Sequence, residues 1–165
     1  MHSSLSALAK LQKIDNLITS KQAVGYLMKY YIATSLSRVT AHHIVREALK
    51  TCGHEISYDW TSHGSVKSTS KERLQEVATL ELEGIADADF VVVLLPGGGG
   101  THLELGFAIA KGKKVFLHSE EPSLFELGPQ TNAFYHHPDI IQLVCPLAEV
   151  GRTVHSLLAL PAMVP

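Results

Sequence analysis

The stretch that most constrains this chain is "DFVVVLLPGGGG", Asp89 to Gly100. Its β-branched run shows no alternation of polar and apolar residues. A strand written that way is covered on both faces, which is the habit of a central strand in a parallel sheet. Four glycines follow it directly, and then a helical pattern, "THLELGFAIAKG", ends at Gly112. Strand, glycine loop and helix in that order predict a βα unit whose loop lies at the carboxyl edge of a sheet, where α/β proteins bind their ligands.

The rest of the chain repeats the alternation. "KYYIA" (29–33) reads as a compact apolar strand. It leads through "TSLSRVT" into a helix with Ile44, Val45, Ala48, Leu49 and Cys52 on one face, stopped by Gly53 as a left-handed cap. "HEISYDW" (54–60) is a second strand, followed by the polar loop "TSHGSVKSTS". Thr69 and Glu72 have capping-box spacing for a helix running to about Ile85. "KKVFLH" (113–118) and "DIIQLVC" (139–145) supply two more strands, and a helix near 147–158 closes the pattern. The expectation is one α/β domain over residues 28–165. Its sheet is doubly wound, mainly parallel and five-stranded, Rossmann- or flavodoxin-like, with helices on both faces. Residues 1–27 stand apart: Leu5, Leu8, Leu11, Ile14 and Ile18 recur at helical spacing and predict a helical extension.

Composition narrows the function classes. A formal net charge of -2 argues against a nucleic-acid partner. The longest apolar run, Phe90 to Leu95, is too short for a membrane span. Residues 1–27 lack the pattern of a secretory signal, and Cys52 and Cys145 give neither a disulfide framework nor metal spacing, which fits a reducing cytoplasm. The ten histidines include two adjacent pairs, His42–His43 and His136–His137, but no H-x-x-x-H, so no metal is expected.

Gly97, Gly98, Gly99 and Gly100 let a ligand approach the backbone, and the free N–H groups of the following helix favour a phosphate or a sugar hydroxyl. The segment lacks the Lys-Ser/Thr of a P-loop and does not complete G-x-G-x-x-G, so neither ATP nor NAD is indicated, and no organic cofactor is expected. Glu104 has two readings. With Thr101 it forms a T-x-x-E pair and would cap its own helix; at the rim of a pocket its carboxylate would instead serve as nucleophile or base. Glu81 falls on the apolar stripe of Leu74, Val77, Ala78, Leu82 and Ile85. A charge there is costly unless it is paired, reaches solvent or is used. His102, two residues before Glu104, is placed to touch a ligand or to be merely solvated. Tyr58 and Trp60, on either side of Asp59, read as core aromatics.

The patterns "YYIATS", "ELEGIADADFVVV" and "GTHLELGFAIAKGKKV" resemble the nucleoside 2-deoxyribosyltransferase family, over about Lys29 to Val144. The resemblance implies cleavage or transfer at the N-glycosidic bond of a (deoxy)nucleoside or nucleoside 5'-monophosphate. It puts the family's glutamate nucleophile on Glu104 and its helix carboxylate, usually Asp, on Glu81. The first-strand tyrosine falls on Tyr31, with Tyr30 the alternative if the register slips by one. Ser35 matches a serine that phosphate-using members employ, whereas Gly98 stands where they place another. With Gly97 to Gly100 and Thr101, Ser35 would hold the 5' end. The resemblance also implies a homodimer or higher homo-oligomer. "PGGGGTHLE" equally fits the motif of the cytokinin-activating phosphoribohydrolases, without their second glycine-rich segment. A nucleotide sensor that binds without turnover is the third reading, one in which the two acids are superfluous.

Overall fold

The structure, a computed structural model, describes residues 27–160. The expected extension over residues 1–27 lies almost wholly outside the described residues. Five strands, β1 (Lys29–Ala33), β2 (Glu55–Ile56), β3 (Phe90–Leu94), β4 (Lys114–Ser119) and β5 (Ile140–Val144), form one sheet in the order β2-β1-β3-β4-β5. Every neighbouring pair is parallel. The helices are α1 (Val39–Thr51), α2 (Lys71–Asp87), α3 (Gly99–Ala110) and α4 (Val150–Ala159).

The unalternating β3 run divides its side chains between two cores. Val91 and Val93 join Tyr31, Ala33, Ile85, Leu105 and Ala108 on the face covered by α2 and α3. Phe90, Val92 and Leu94 join Tyr30, Ile32, Val45, Leu49, Val150 and Val154 on the face covered by α1 and α4. All five β3 residues are buried, which is why that segment carries no polar alternation. Strand order reverses between β1 and β3, where Tyr31 pairs with Val91 and Ala33 with Val93. Loops leaving two adjacent strands in opposite directions open a crevice there.

Four expectations shift. The second strand is only Glu55–Ile56, because "YDW" turns out of the sheet: Asp59 accepts from Thr61 N at 3.0 Å and starts a 3-10 turn over Trp60–His63. Ser70, not Thr69, caps α2, accepting from Arg73 N at 3.1 Å. α3 begins two residues earlier than the glycine run suggested, at Gly99. Ile44 and Leu74 are each 42% exposed, so neither belongs to a buried stripe.

Candidate functional site

A cavity of about 360 Å³ opens at the β1/β3 reversal, a volume suited to a small metabolite. One side is formed by Thr34, Ser35 and Leu36 from the β1 loop, then Gly98 to Gly100 and Thr101 from the start of α3, and is polar but for Leu36. The other side is the α2 flank of Leu74, Val77, Ala78 and Glu81, with Trp60 and His63 from the 3-10 turn. The exposure of Leu74 is thereby explained: it faces the cavity rather than core.

Glu104 stands at the floor. It is only 7% exposed, and Tyr31 Oη donates to its Oε1 at 2.5 Å. Its carboxyl does not cap the helix. Thr101 fills that role from within the first turn, its Oγ1 accepting from Gly98 N at 3.3 Å. Burial pushes the Glu104 pKa up to about 8, the neighbouring Glu81 adds to the rise, and the Tyr31 hydrogen bond opposes both. Burial also raises Glu81, while His63 pulls it down. Tyr31 is raised by burial and then by the Glu104 charge, so it stays a hydrogen-bond donor at any ordinary pH. Glu81 thus discourages the ionisation of Glu104, whose carboxyl is held on one oxygen by a fixed donor.

The glycine loop owes its shape to close approach. A Cβ on Gly97 would lie 2.6 Å from Thr101 Cγ2, so only glycine lets the loop turn into α3 with Thr101 in place. The first N–H groups of α3 are left without helical partners, and this positive end of the helix dipole, Gly98 to Thr101, lines the cavity. Arg38 donates to Leu95 O and Thr34 Oγ1 donates to Leu94 O at 3.0 Å, tying the β1 loop to the end of β3.

The opposite wall is braced by Asp59. Its side chain accepts from Arg46 Nη1 at 2.6 Å and from Thr61 Oγ1 at 2.5 Å. Burial would raise its pKa, yet the hydrogen bonds from Thr61 and Arg46 hold it below the ordinary carboxylate value. This turn fixes Trp60, whose Nε1 donates to Ile32 O at 2.9 Å and whose indole is 4% exposed. His42 packs edge-on behind it at 5.1 Å, and burial lowers the His42 pKa to about 4, so it packs as a neutral ring.

The site residues expected from the sequence divide cleanly. Glu104, Glu81, Ser35, Gly98, Gly99, Gly100 and Thr101 line the cavity, and Tyr31 touches it through Glu104. Tyr30 lies on the other face of the sheet, its Oη donating to Arg46 O, so the register favours Tyr31. Gly97 shapes the loop without lining the cavity. His102 turns away: Nδ1 pairs with Gly98 O at 2.7 Å and Nε2 with Tyr135 Oη at 2.7 Å, so it braces the loop from outside. Ser35 Oγ is paired with Ser37 Oγ at 2.8 Å. Sequence reasoning missed His63, Leu74, Lys67 and the cavity role of Trp60. The rim rule that singled out the loops after β1 and β3 applies equally to the loop after β2, and would have found His63, Lys67 and Trp60, whereas Leu74 lies on α2. Among the described residues no group of three or more His, Cys, Asp or Glu side chains is placed to hold a metal ion, and no helix is long and apolar enough to cross a membrane.

A doubly wound sheet with a metabolite-sized cavity at its reversal point, floored by a buried carboxyl group, defines an α/β protein built to act on a small polar substrate. The family model for nucleoside 2-deoxyribosyltransferases matches residues 31–152, most of the domain, and the chain belongs to that enzyme family. Among solved structures, the CMP N-glycosidase of Clostridium botulinum is similar, with a TM-score of 0.52 and 16% identity over 76% of this chain and 97% of that one. That likeness concerns the fold. A 2-deoxyribosyltransferase from the psychrotolerant bacterium Bacillus psychrosaccharolyticus is 25% identical over 55% of this chain and 72% of its own, with a TM-score of 0.49. No curated protein sequence matches the chain.

Proposed function

We propose that this protein breaks the N-glycosidic bond of a nucleoside or nucleoside 5'-monophosphate, with Glu104 as nucleophile. The observation that carries the reading is the buried Tyr31–Glu104 hydrogen bond at the floor of the cavity, with Glu81 in the same lining. A carboxylate bound on one oxygen by a fixed donor keeps its other oxygen available. No partner of Oε2 exists among the described residues.

In this mechanism Glu104 attacks C1' as the base leaves. Positive charge builds on the sugar, and a buried carboxylate stabilises it far better than water would. Burial favours the protonated form of Glu104, so attack requires that this proton has gone, and the developing charge at C1' favours the ionised form. Glu81, also raised by burial, is suited to deliver a proton to the departing base or to hold the sugar. The polar side formed by Ser35, Gly98 to Gly100 and Thr101 takes the sugar and its 5' end, with the α3 N-terminus favouring negative charge there. Water as acceptor would give hydrolysis, and a second base would give transfer. No cofactor is required by this chemistry.

The test is base release, followed by chromatography over a panel of ribo- and deoxyribonucleosides and their 5'-monophosphates, with and without an added base. Release by the wild type and none by Glu104→Gln is the expected result, with a sugar-sized mass increment on the acid-quenched wild-type chain. Release undiminished in Glu104→Gln would remove Glu104 as nucleophile. Tight binding of panel members by both proteins without release would favour the sensor reading.

A further inference from the structure

The place of Glu104 sets the direction in which a base must lie. An attacking oxygen and a leaving group stand on opposite sides of the carbon between them. A nucleophile at the floor of the cavity therefore sends the base away from the floor, towards the mouth. With the 5' end against Ser35 and Gly98 to Thr101, the wall left beside the base is the flank of α2.

That flank works as a ruler. α2 starts at the carboxyl rim of the sheet and runs inward, so Leu74, Ala78 and Glu81, which all line the cavity, mark successive turns from mouth to floor. At 1.5 Å of rise per residue the stripe is about 10 Å long. Glu81 is its inner end, close enough to act on the Glu104 charge. Ala78, one turn out, is exposed and carries only a methyl group, so it leaves a shallow recess between two larger side chains. Leu74, a further turn out, is 42% exposed. On the other side of the mouth Leu36, from the β1 loop, is 40% exposed. Large apolar side chains held open to solvent on two walls of one cavity are a surface for a ligand to cover. Lys67 keeps part of the mouth polar, but no polar side chain interrupts the stripe between Leu74 and Glu81.

The length of this track sets the size of the guest. A one-ring base joined to a sugar beside Glu104 lies over Ala78 and ends there, with both leucines still in water. A second fused ring carries the same flat apolar surface further out, between Leu36 and Leu74. We propose that Leu36, Leu74 and Ala78 are specificity-determining residues that together receive a two-ring base, so that purine nucleosides or nucleotides are taken in preference to pyrimidine ones. This rests on the N-glycosidic reading with Glu104 as nucleophile, and deepens it by naming the class of base.

The experiment sets deoxyguanosine and deoxyadenosine against deoxycytidine and thymidine, each as nucleoside and as 5'-monophosphate. Kd by calorimetry and kcat/KM for base release are measured on the full chain, wild type beside Leu36→Ala, Leu74→Ala and Ala78→Leu, with circular dichroism as the check of folding. Kd carries the comparison, because purines also leave C1' more readily by their own chemistry. The wild type is expected to bind the purine members at least about tenfold more tightly, the scale of one further ring buried between two apolar side chains. Leu36→Ala and Leu74→Ala each bring that ratio to within about threefold by weakening the purine members. Ala78→Leu fills the recess and weakens both classes by more than about tenfold. Its exposed position on the helix leaves the core untouched, so this variant decides even where a leucine variant fails to fold. Equal binding of both classes by the wild type overturns the proposal, as do folded leucine variants that keep the wild-type ratio or an Ala78→Leu protein that binds like the wild type. If no base is released, the glycosidase reading fails by itself, and the Kd ratios still decide the class of base. Failure of every compound to bind overturns both.

Discussion

Replacing Glu104 by glutamine should make the protein more stable, by an amount that depends on pH. The carboxyl ionises at about 8 in the folded chain against an ordinary 4.5, so folding favours its protonated form. Below about pH 4.5 the group is neutral in both folded and unfolded states and costs nothing. As pH rises, the unfolded chain gives up the proton while the folded chain keeps it, and stability falls until the folded group itself ionises near pH 8. At about 1.4 kcal/mol per pH unit, the cost is roughly 3 kcal/mol at pH 7 and roughly 5 kcal/mol above pH 8. Glutamine is nearly isosteric, stays neutral and still offers an oxygen to Tyr31 Oη, so it should recover a large part of this. For a chain of this length each kcal/mol moves Tm by about 2–4 °C. Calorimetric scans of both proteins from pH 4 to pH 9 should show Tm curves that coincide at pH 4 and diverge to roughly 5–15 °C by pH 8, the variant higher. A constant difference, or a variant less stable at pH 8, would mean that Glu104 is not ionising in a buried site, and the electrostatic account of the cavity would be wrong.

Three further substitutions probe the same site. Tyr31→Phe removes the donor that opposes the rise in the Glu104 pKa, so the acid limb of the kcat/KM profile should move to higher pH and turnover should fall about 10- to 100-fold; an unmoved limb would show that Tyr31 does not act on Glu104. Gly84→Ala would put a Cβ 2.5 Å from Tyr58 Cβ and 3.2 Å from the Tyr31 ring, so thermal melts should show a loss of about 1–3 kcal/mol together with reduced turnover. Gly97→Ala would force Thr101 and the glycine loop apart, and KM should rise more than tenfold as the loop that lines the cavity is distorted; steady-state kinetics with saturating substrate separate this from a loss of folded protein.

The sheet was legible because its central strand is written without compromise. Buried on both faces, Phe90 to Leu94 admits no polar residue, and the glycines after it mark where the chain must turn. Helices were located by periodicity, but periodicity finds a face and not what lies against it. Leu74 and Ala78 repeat with Val77 as core residues would, yet they border the cavity, and a single sequence cannot distinguish an apolar wall from an apolar core. "SYDW" failed for a different reason. Asp59 finds Thr61 and Arg46, and that local network outweighs the strand preference of the aromatics beside it. The hydrogen bond that holds the Glu104 carboxyl comes from a partner 73 residues away, since Tyr31 meets it only after β1 and α3 have packed. With Gly98 as the N-cap, Thr101 rather than Glu104 stands at the third helical position and accepts from the N-cap N–H, a shift of register that spacing alone does not reveal.

The wall that holds Trp60 has a practical consequence. It is the only tryptophan in the chain, it borders the cavity, and a neutral histidine packs edge-on behind it. The protein thus carries one intrinsic indole fluorophore, and it borders the cavity. Emission excited at the indole band reports on that wall without background from elsewhere. Titration of the wild type with nucleosides should quench or shift it in step with occupancy, so the molecule can be read optically while it is still intact and unlabelled.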